Sequence, residues 1–309
     1  MKVGLQVISF DWSGSPENIG DKLGEIATTA DEAGFYSLWV MDHFFELGGV
    51  FGGAEAPMLE GYSAISYCAA LTRRIKVGLL VTGNIYRHPG LLVKNITTLD
   101  VLSGGRSYFG IGAGWYEQEA RGLGVPFPKL KERFSRLEET LQIAHQMWKD
   151  NKAPYNGKHY HLSEPINRPQ PLTQPHPPIL IGGSGEKKTL RLVAKYADAC
   201  NLYFGATPKE FNESHHEIYR NKAKILTGKL DVLKRHCEDV GRSYEDIEKT
   251  VLGTIRIAPG EMEAEDVISL CRELHELGFD HVIFNMPNTH EIVPIKVFGE
   301  EVIPEVKDL

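Results

Sequence analysis

Two stretches of this 309-residue chain carry groups suited to holding an anion and moving a proton. In the first, the apolar strand candidate Ile179–Ile181 runs into Gly182, Gly183, Ser184 and Gly185, and a helical pattern with Leu190, Leu192, Val193 and Ala197 follows at once. Glycines at such a turn let backbone N–H groups approach an anion, and the helix start adds unpaired donors and the positive end of its dipole. Lys187, Lys188 and Arg191 stand where that dipole favours acids, so a bound phosphate accounts for them; the alternative is a plain glycine turn with surface lysines. In the second stretch, the buried strand candidate Phe35–Met41 delivers Asp42 and His43 to a loop. A histidine there can exchange a proton near neutral pH, and the carboxylate beside it can bind a polar cofactor edge; a capping Asp with a packed His is the structural alternative.

A second glycine loop, Gly110-Ile111-Gly112-Ala113-Gly114-Trp115-Tyr116-Glu117, lacks the third glycine of a dinucleotide fingerprint. Gly112 and Gly114 still permit close backbone approach to a ring, with Trp115 and Tyr116 as pocket walls or core aromatics. Thr82-Gly83-Asn84 ends another strand and serves either a heterocycle or a simple turn. Glu117 and Glu119 are candidate acids or mere partners of a helix dipole. Phe10, Trp12, Phe44, Phe45, Phe51 and Trp115 fall near one predicted mouth, which suits a small, partly apolar organic substrate. His159 and His161 are expected on one face of a single strand, Tyr155–Leu162, without a carboxylate partner, so no metal site is expected.

These residues need a scaffold that gathers loops from distant parts of the chain. Apolar runs at Lys2–Ile8, Phe35–Met41, Ile75–Thr82, Arg106–Ile111, Ile179–Ile181, Asp198–Phe204, Thr250–Ile257 and His281–Asn285 alternate with helical patterns, the signature of βα units around a parallel sheet. Asp31-Glu32-Ala33-Gly34-Phe35 near one end echoes His275-Glu276-Leu277-Gly278-Phe279 near the other, as a closed ring would give. The spacing breaks between about 115 and 178, where an amphipathic helix, Lys131–Lys149, and a proline-rich extended segment form an insertion after the fourth strand. A single domain spanning 1–309 is expected.

With 41 acidic and 34 basic residues the chain carries a net charge of −7, which excludes a broad basic surface for nucleic acid. Its four cysteines are far apart, and no apolar run reaches the roughly 20 residues of a bilayer span, so a cytoplasmic protein with free thiols and no membrane partner is expected.

The stretches SLWVMDHF, VGLLVTGNIYRHPGLLVK, SGGRSYFGIGAGWYEQEARGLGVPFP, KERFSRLEETLQI and PPILIGGSG together resemble the bacterial luciferase-like monooxygenase superfamily, and the DHF and GAGWxxxE pattern looks most like its branch of oxidoreductases dependent on coenzyme F420, an 8-hydroxy-5-deazaflavin. The resemblance implies a (β/α)8 TIM barrel that binds the deazaflavin or FMN at the C-terminal ends of its strands. It implies Asp42 at the cofactor, His43 as proton donor or acceptor, and Leu79, Leu80 and Val81 as a bulge behind the ring, often with a non-prolyl cis peptide. Thr82, Asn84, Gly112, Gly114 and Tyr116 would line the cofactor, Gly182, Gly183, Ser184 and Gly185 its phosphate, and Trp12, Phe44 and Trp115 the substrate pocket. Relatives that oxidise sugar phosphates carry a glutamate where this chain has Trp115. A homodimer is implied. Hydride transfer to or from the deazaflavin is the leading expectation. Alternatives are a two-component FMN monooxygenase fed by a flavin reductase, a non-redox barrel enzyme with a phosphorylated substrate, and a non-catalytic flavin-binding protein.

Overall fold

The computed structural model describes residues 1–47 and 52–309, so Phe51 lies outside the described residues. The expected alternation becomes a parallel barrel. Its first elements are β1 (Lys2–Val7), α1 (Ile19–Glu32), β2 (Ser37–Val40), α2 (Gly61–Leu71), β3 (Lys76–Leu79), β4 (Thr82–Gly83), α3 (Pro89–Ser103) and β5 (Phe109–Gly112). Next come α4 (Glu117–Gly122), α5 (Leu130–Trp148), β6 (Tyr155–Asn156) and β7 (His161–Leu162). The order resumes with β8 (Ile179–Gly182), α6 (Thr189–Tyr196), β9 (Ala199–Ala206), α7 (Glu213–Arg220), α8 (Lys222–Val240), β10 (Glu248–Thr254), α9 (Ala264–Glu276) and β11 (His281–Asn285).

The sheet runs β3-β2-β1-β11-β10-β9-β8-β5-β4, and β3 and β4 are two halves of one stave. Tyr108 N–H to the Val77 carbonyl (2.8 Å) and Val77 N–H to that of Arg106 (2.9 Å) close the ring. All barrel pairings are parallel, as strands buried on both faces require: Ser37, Leu38, Trp39 and Val40 of β2 are all buried. The paired echo marks two equivalent junctions, since Gly34 (φ 87°) and Gly278 (φ 94°) each end a helix and buried Phe35 and Phe279 lead into strands.

The third stave breaks at Leu80–Val81, whose peptide bond is cis. Neighbouring strands accommodate this bulge by lacking side chains. A Cβ on Gly110 would stand 2.0 Å from the Leu79 carbonyl oxygen, and one on Gly112 or Gly182 would stand 2.9 Å from a Val81 methyl.

Between β5 and β8, α5 packs against α3 and α6 in the outer helical ring, burying Leu137, Leu141, Ala144 and Trp148. A fully buried leucine contributes roughly 1.5–3 kcal/mol, so this face fixes the helix firmly. The segment Tyr155–Leu162 is a hairpin of β6 and β7 rather than one strand, so His159 lies in the turn and His161 on β7. The Glu139 carboxylate of α5 makes the turn, accepting the N–H groups of Lys158, His159 and Tyr160 at 2.9–3.2 Å. No helix among the described residues is long and apolar enough to cross a membrane.

Candidate active site

His43 follows β2 at the C-terminal mouth of the barrel, and its Nδ1 lies 2.8 Å from Glu119 Oε1. Glu119 stands in the first turn of α4, where the second glycine loop turns it inward until it is 0% exposed. Its carboxylate also accepts the Phe44 N–H (2.8 Å), the Phe45 N–H (3.2 Å) and the Tyr86 hydroxyl. Burial pushes this carboxyl up, but hydrogen bonds from His43, Tyr86 and Phe44 outweigh that and hold it below its ordinary value. A carboxylate accepts only, so Nδ1 carries the proton and Nε2 is the atom of His43 left for exchange. The ring meets Trp115 and Tyr116 edge to face at 5.5 and 5.7 Å.

Asp42 is buried and gripped. Arg87 donates to both of its oxygens (2.7 and 2.8 Å), and the Gly83 N–H donates to Oδ2 at 2.8 Å. Burial pushes the Asp42 carboxyl up, and the Arg87 fork and Gly83 oppose that rise. Arg87 in turn lies over the Tyr62 ring at 4.6 Å and reaches Glu60 at 2.5 Å, while Tyr62 and Thr82 share a 2.6 Å hydrogen bond. The side chains beside the broken stave are thus locked before any ligand arrives.

These groups surround a cavity of about 370 Å³ whose wall includes Asp42, His43, Leu80, Val81, Thr82 and Gly83. Gly112, Gly114, Trp115, Gly182 and Gly183 complete the expected lining, and Leu130, Phe134, Leu137, Thr189, Asn201 and Leu252 also face it. Bare backbone and small apolar side chains give a floor suited to a flat ring. Asn84, expected at the cofactor, is not among the residues that wall the cavity; 1% exposed, it donates its backbone N–H to Gly112 at 3.0 Å, and both polar atoms of its side chain lack a partner among the described residues. A buried amide left so costs roughly 1–3 kcal/mol. The floor of bare backbone and small apolar side chains is what fits a flavin or deazaflavin.

Several expected residues stand elsewhere. Trp12 is buried against Phe10 and stacks on His290, and Phe44 packs on Tyr86, so neither belongs to the cavity wall. Leu79 is buried behind the bulge, Tyr116 stacks under Trp115 with its hydroxyl on the Glu46 carbonyl, and Ser184 and Gly185 continue the glycine loop past the cavity. Sequence reasoning assigned neither Tyr86 nor Arg87 a role at this site. Glu119 was visible as an acid but not as the partner of His43, because nothing local links positions 76 residues apart.

A family model described as luciferase-like monooxygenase matches residues 1–291. A protein of Nakamurella multipartita named F420-dependent glucose-6-phosphate dehydrogenase is 26% identical, with 98% of this chain and 97% of that protein covered. Among solved structures, an F420-dependent secondary alcohol dehydrogenase in complex with an F420-acetone adduct superposes with a TM-score of 0.77 at 17% identity, covering 99% of each chain. A riboflavin lyase with modified FMN and riboflavin also gives 0.77, at 13% identity over 100% of this chain and 91% of that one. The structures share the barrel, and the match of the family model over nearly the whole length places this chain in the luciferase-like monooxygenase family.

Proposed function

We propose that this chain is an oxidoreductase exchanging a hydride between coenzyme F420 and a small, partly apolar organic substrate. The observation that carries the reading is His43 on the cavity wall with its Nδ1 held by a fully buried carboxylate. When bound, the deazaflavin supplies hydride chemistry at its C5. Leu80, Val81 and Thr82 would back its ring, and Gly182 to Gly185 with the start of α6 would hold its phosphate. His43 takes or gives the accompanying proton at Nε2, Glu119 orients the ring and balances its charge, and Asp42 with Arg87 holds the loop beneath it. The names of the F420-dependent relatives support the cofactor.

Glucose 6-phosphate is not the substrate we propose. Trp115 is 63% exposed and faces the cavity, and the family resemblance implies an acid at this position in the sugar-phosphate oxidisers. FMN is the second reading, favoured by the same phosphate loop and by the FMN-containing barrel structure; it would call for a reductase partner. A homodimer is supported by α2, which has no charged residue, and by exposed Tyr67, Leu71, Leu91 and Leu102 on α2 and α3. Four buried, unpaired cysteines support a reducing compartment such as the cytoplasm.

The test is a side-by-side titration of the apoprotein with the deazaflavin and with FMN, followed by fluorescence, then turnover of the loaded protein. Deazaflavin binding, with turnover lost by about 10²-fold or more in His43→Ala while binding persists, is the expected result. Binding of FMN alone moves the reading to a monooxygenase. Binding of neither rejects both.

A further inference from the structure

Trp115 is the one tryptophan that the fold leaves out of its core. Trp12, Trp39 and Trp148 are 6% exposed or less, whereas Trp115 is 63% exposed and stands on the wall of the cavity at His43. An indole left in water forgoes the gain that burial would give it. It is nevertheless held in place. The Tyr116 ring stacks on it with centroids 5.2 Å apart and planes at 24°, and the Tyr116 hydroxyl donates to the Glu46 carbonyl at 3.2 Å. The turn before it, at Gly114 (φ 75°), has its carbonyl bound by the guanidinium of Arg133, which lies over the Phe127 ring at 4.2 Å.

The other face of the indole is open. His43 is nearly equidistant from the two stacked rings, at 5.5 and 5.7 Å, and steeply tilted to both, so the imidazole stands beside the stack and does not cap it. A ring laid on the free face of Trp115 is therefore a neighbour of His43. A flat apolar surface already fixed in position needs no ordering when a ligand arrives, and it rewards ring-on-ring contact over contact with a puckered ring.

The rest of the wall selects against charge. Among the described residues that line it there is no lysine or arginine, Asp42 is held by Arg87, and both His43 and the Tyr86 hydroxyl are held by Glu119. A carboxylate on the substrate would lose its water here with no lysine or arginine to pair it. Leu130, which is 54% exposed, Phe134 and Leu137 continue the apolar surface along α5.

Resting on the oxidoreductase reading of this site, we infer that its substrate is an uncharged, flat, conjugated molecule whose ring lies on the free face of Trp115. Trp115 is then the residue that determines specificity, by shape and by the absence of charge around it.

The test is the Kd of three probes for the whole protein loaded with oxidised deazaflavin, by isothermal titration calorimetry. The probes are 2-acetylnaphthalene, its saturated and puckered counterpart 2-acetyldecalin, and the charged 2-naphthoate. The wild type should bind the flat ketone roughly three- to tenfold more tightly than the puckered one. It should bind 2-naphthoate more weakly than the flat ketone by about tenfold or more. Trp115→Leu should abolish the preference for the flat ketone, and Trp115→Phe should keep part of it, both with a wild-type circular dichroism melt. Equal affinity for the flat and puckered ketones in the wild type overturns the substrate class and leaves the cofactor reading standing, as does 2-naphthoate binding as tightly as the ketone. A preference that survives in folded Trp115→Leu overturns the assignment to this residue. Failure of the deazaflavin to load the protein where FMN does overturns the F420 reading alone, because the same titrations on the FMN-loaded protein still decide the substrate class.

Discussion

The Glu119 carboxylate and the His43 imidazole meet at 2.8 Å although α4 and the loop after β2 lie on different staves of the barrel. The same carboxylate accepts two consecutive backbone N–H groups, Phe44 and Phe45, so it fixes the loop and the ring together. On the proposed reading, Glu119 is in this sense a positioning residue for His43.

Glu119→Gln keeps the shape and removes the charge that defines which nitrogen of His43 carries the proton. Turnover should fall by about 10²-fold with little change in cofactor affinity, and the pH profile of kcat should shift relative to wild type. Steady-state kinetics across pH on the loaded enzyme checks both. An unchanged pH profile would leave Glu119 a merely structural support.

Arg87→Met should be more damaging to folding than Asp42→Asn/Arg87→Met. The single change strands a buried carboxylate whose two oxygens both faced the guanidinium, a loss of about 3–5 kcal/mol. Removing the charge on both sides restores part of that loss. Urea unfolding of the two variants measures the difference.

At the opposite, N-terminal end of the barrel, Glu248 accepts Lys2 Nζ at 2.7 Å and Tyr108 at 3.0 Å, with His281 Nδ1 at 3.5 Å. Burial pushes its carboxyl up, but His281 and Lys2 outweigh that and hold it at about 2 against an ordinary 4.5. A depressed folded-state value stabilises above pH 4.5 and is lost as pH falls toward 2, an effect of about 3 kcal/mol. Glu248→Gln should therefore cost about 2–3 kcal/mol at pH 7, with its deficit against wild type shrinking below pH 4.5 and vanishing near 2. Urea denaturation over that pH range tests it.

Glu46 behaves oppositely. It is fully buried, Oε1 accepts the Leu47 N–H at 2.7 Å, and Oε2 has no partner among the described residues. Burial raises its carboxyl from 4.5 to about 7. A raised acid destabilises progressively as pH climbs from 4.5 through 7, so Glu46→Gln should raise Tm relative to wild type at pH 8 and match it near pH 4.5. Thermal melts at the two pH values decide this.

What the sequence determined by itself is what local periodicity and turn chemistry encode. Apolar runs such as SLWV and ILIG become buried parallel staves because each strand must bury both faces, and Asp42-His43 and Gly182 to Gly185 lie at strand ends because the turns follow the runs. Local pattern also misleads: Tyr155–Leu162 alternates as one strand would, yet Glu139 on α5 collects three N–H groups there and folds it into a hairpin. Only the tertiary structure decided that Arg87 holds Asp42, that Glu119 holds His43, and that Trp12 and Phe44 pack away from the cavity. Side chains tens of residues apart have no shared period, and their partners are set by barrel closure and by the need of buried polar groups to find one another.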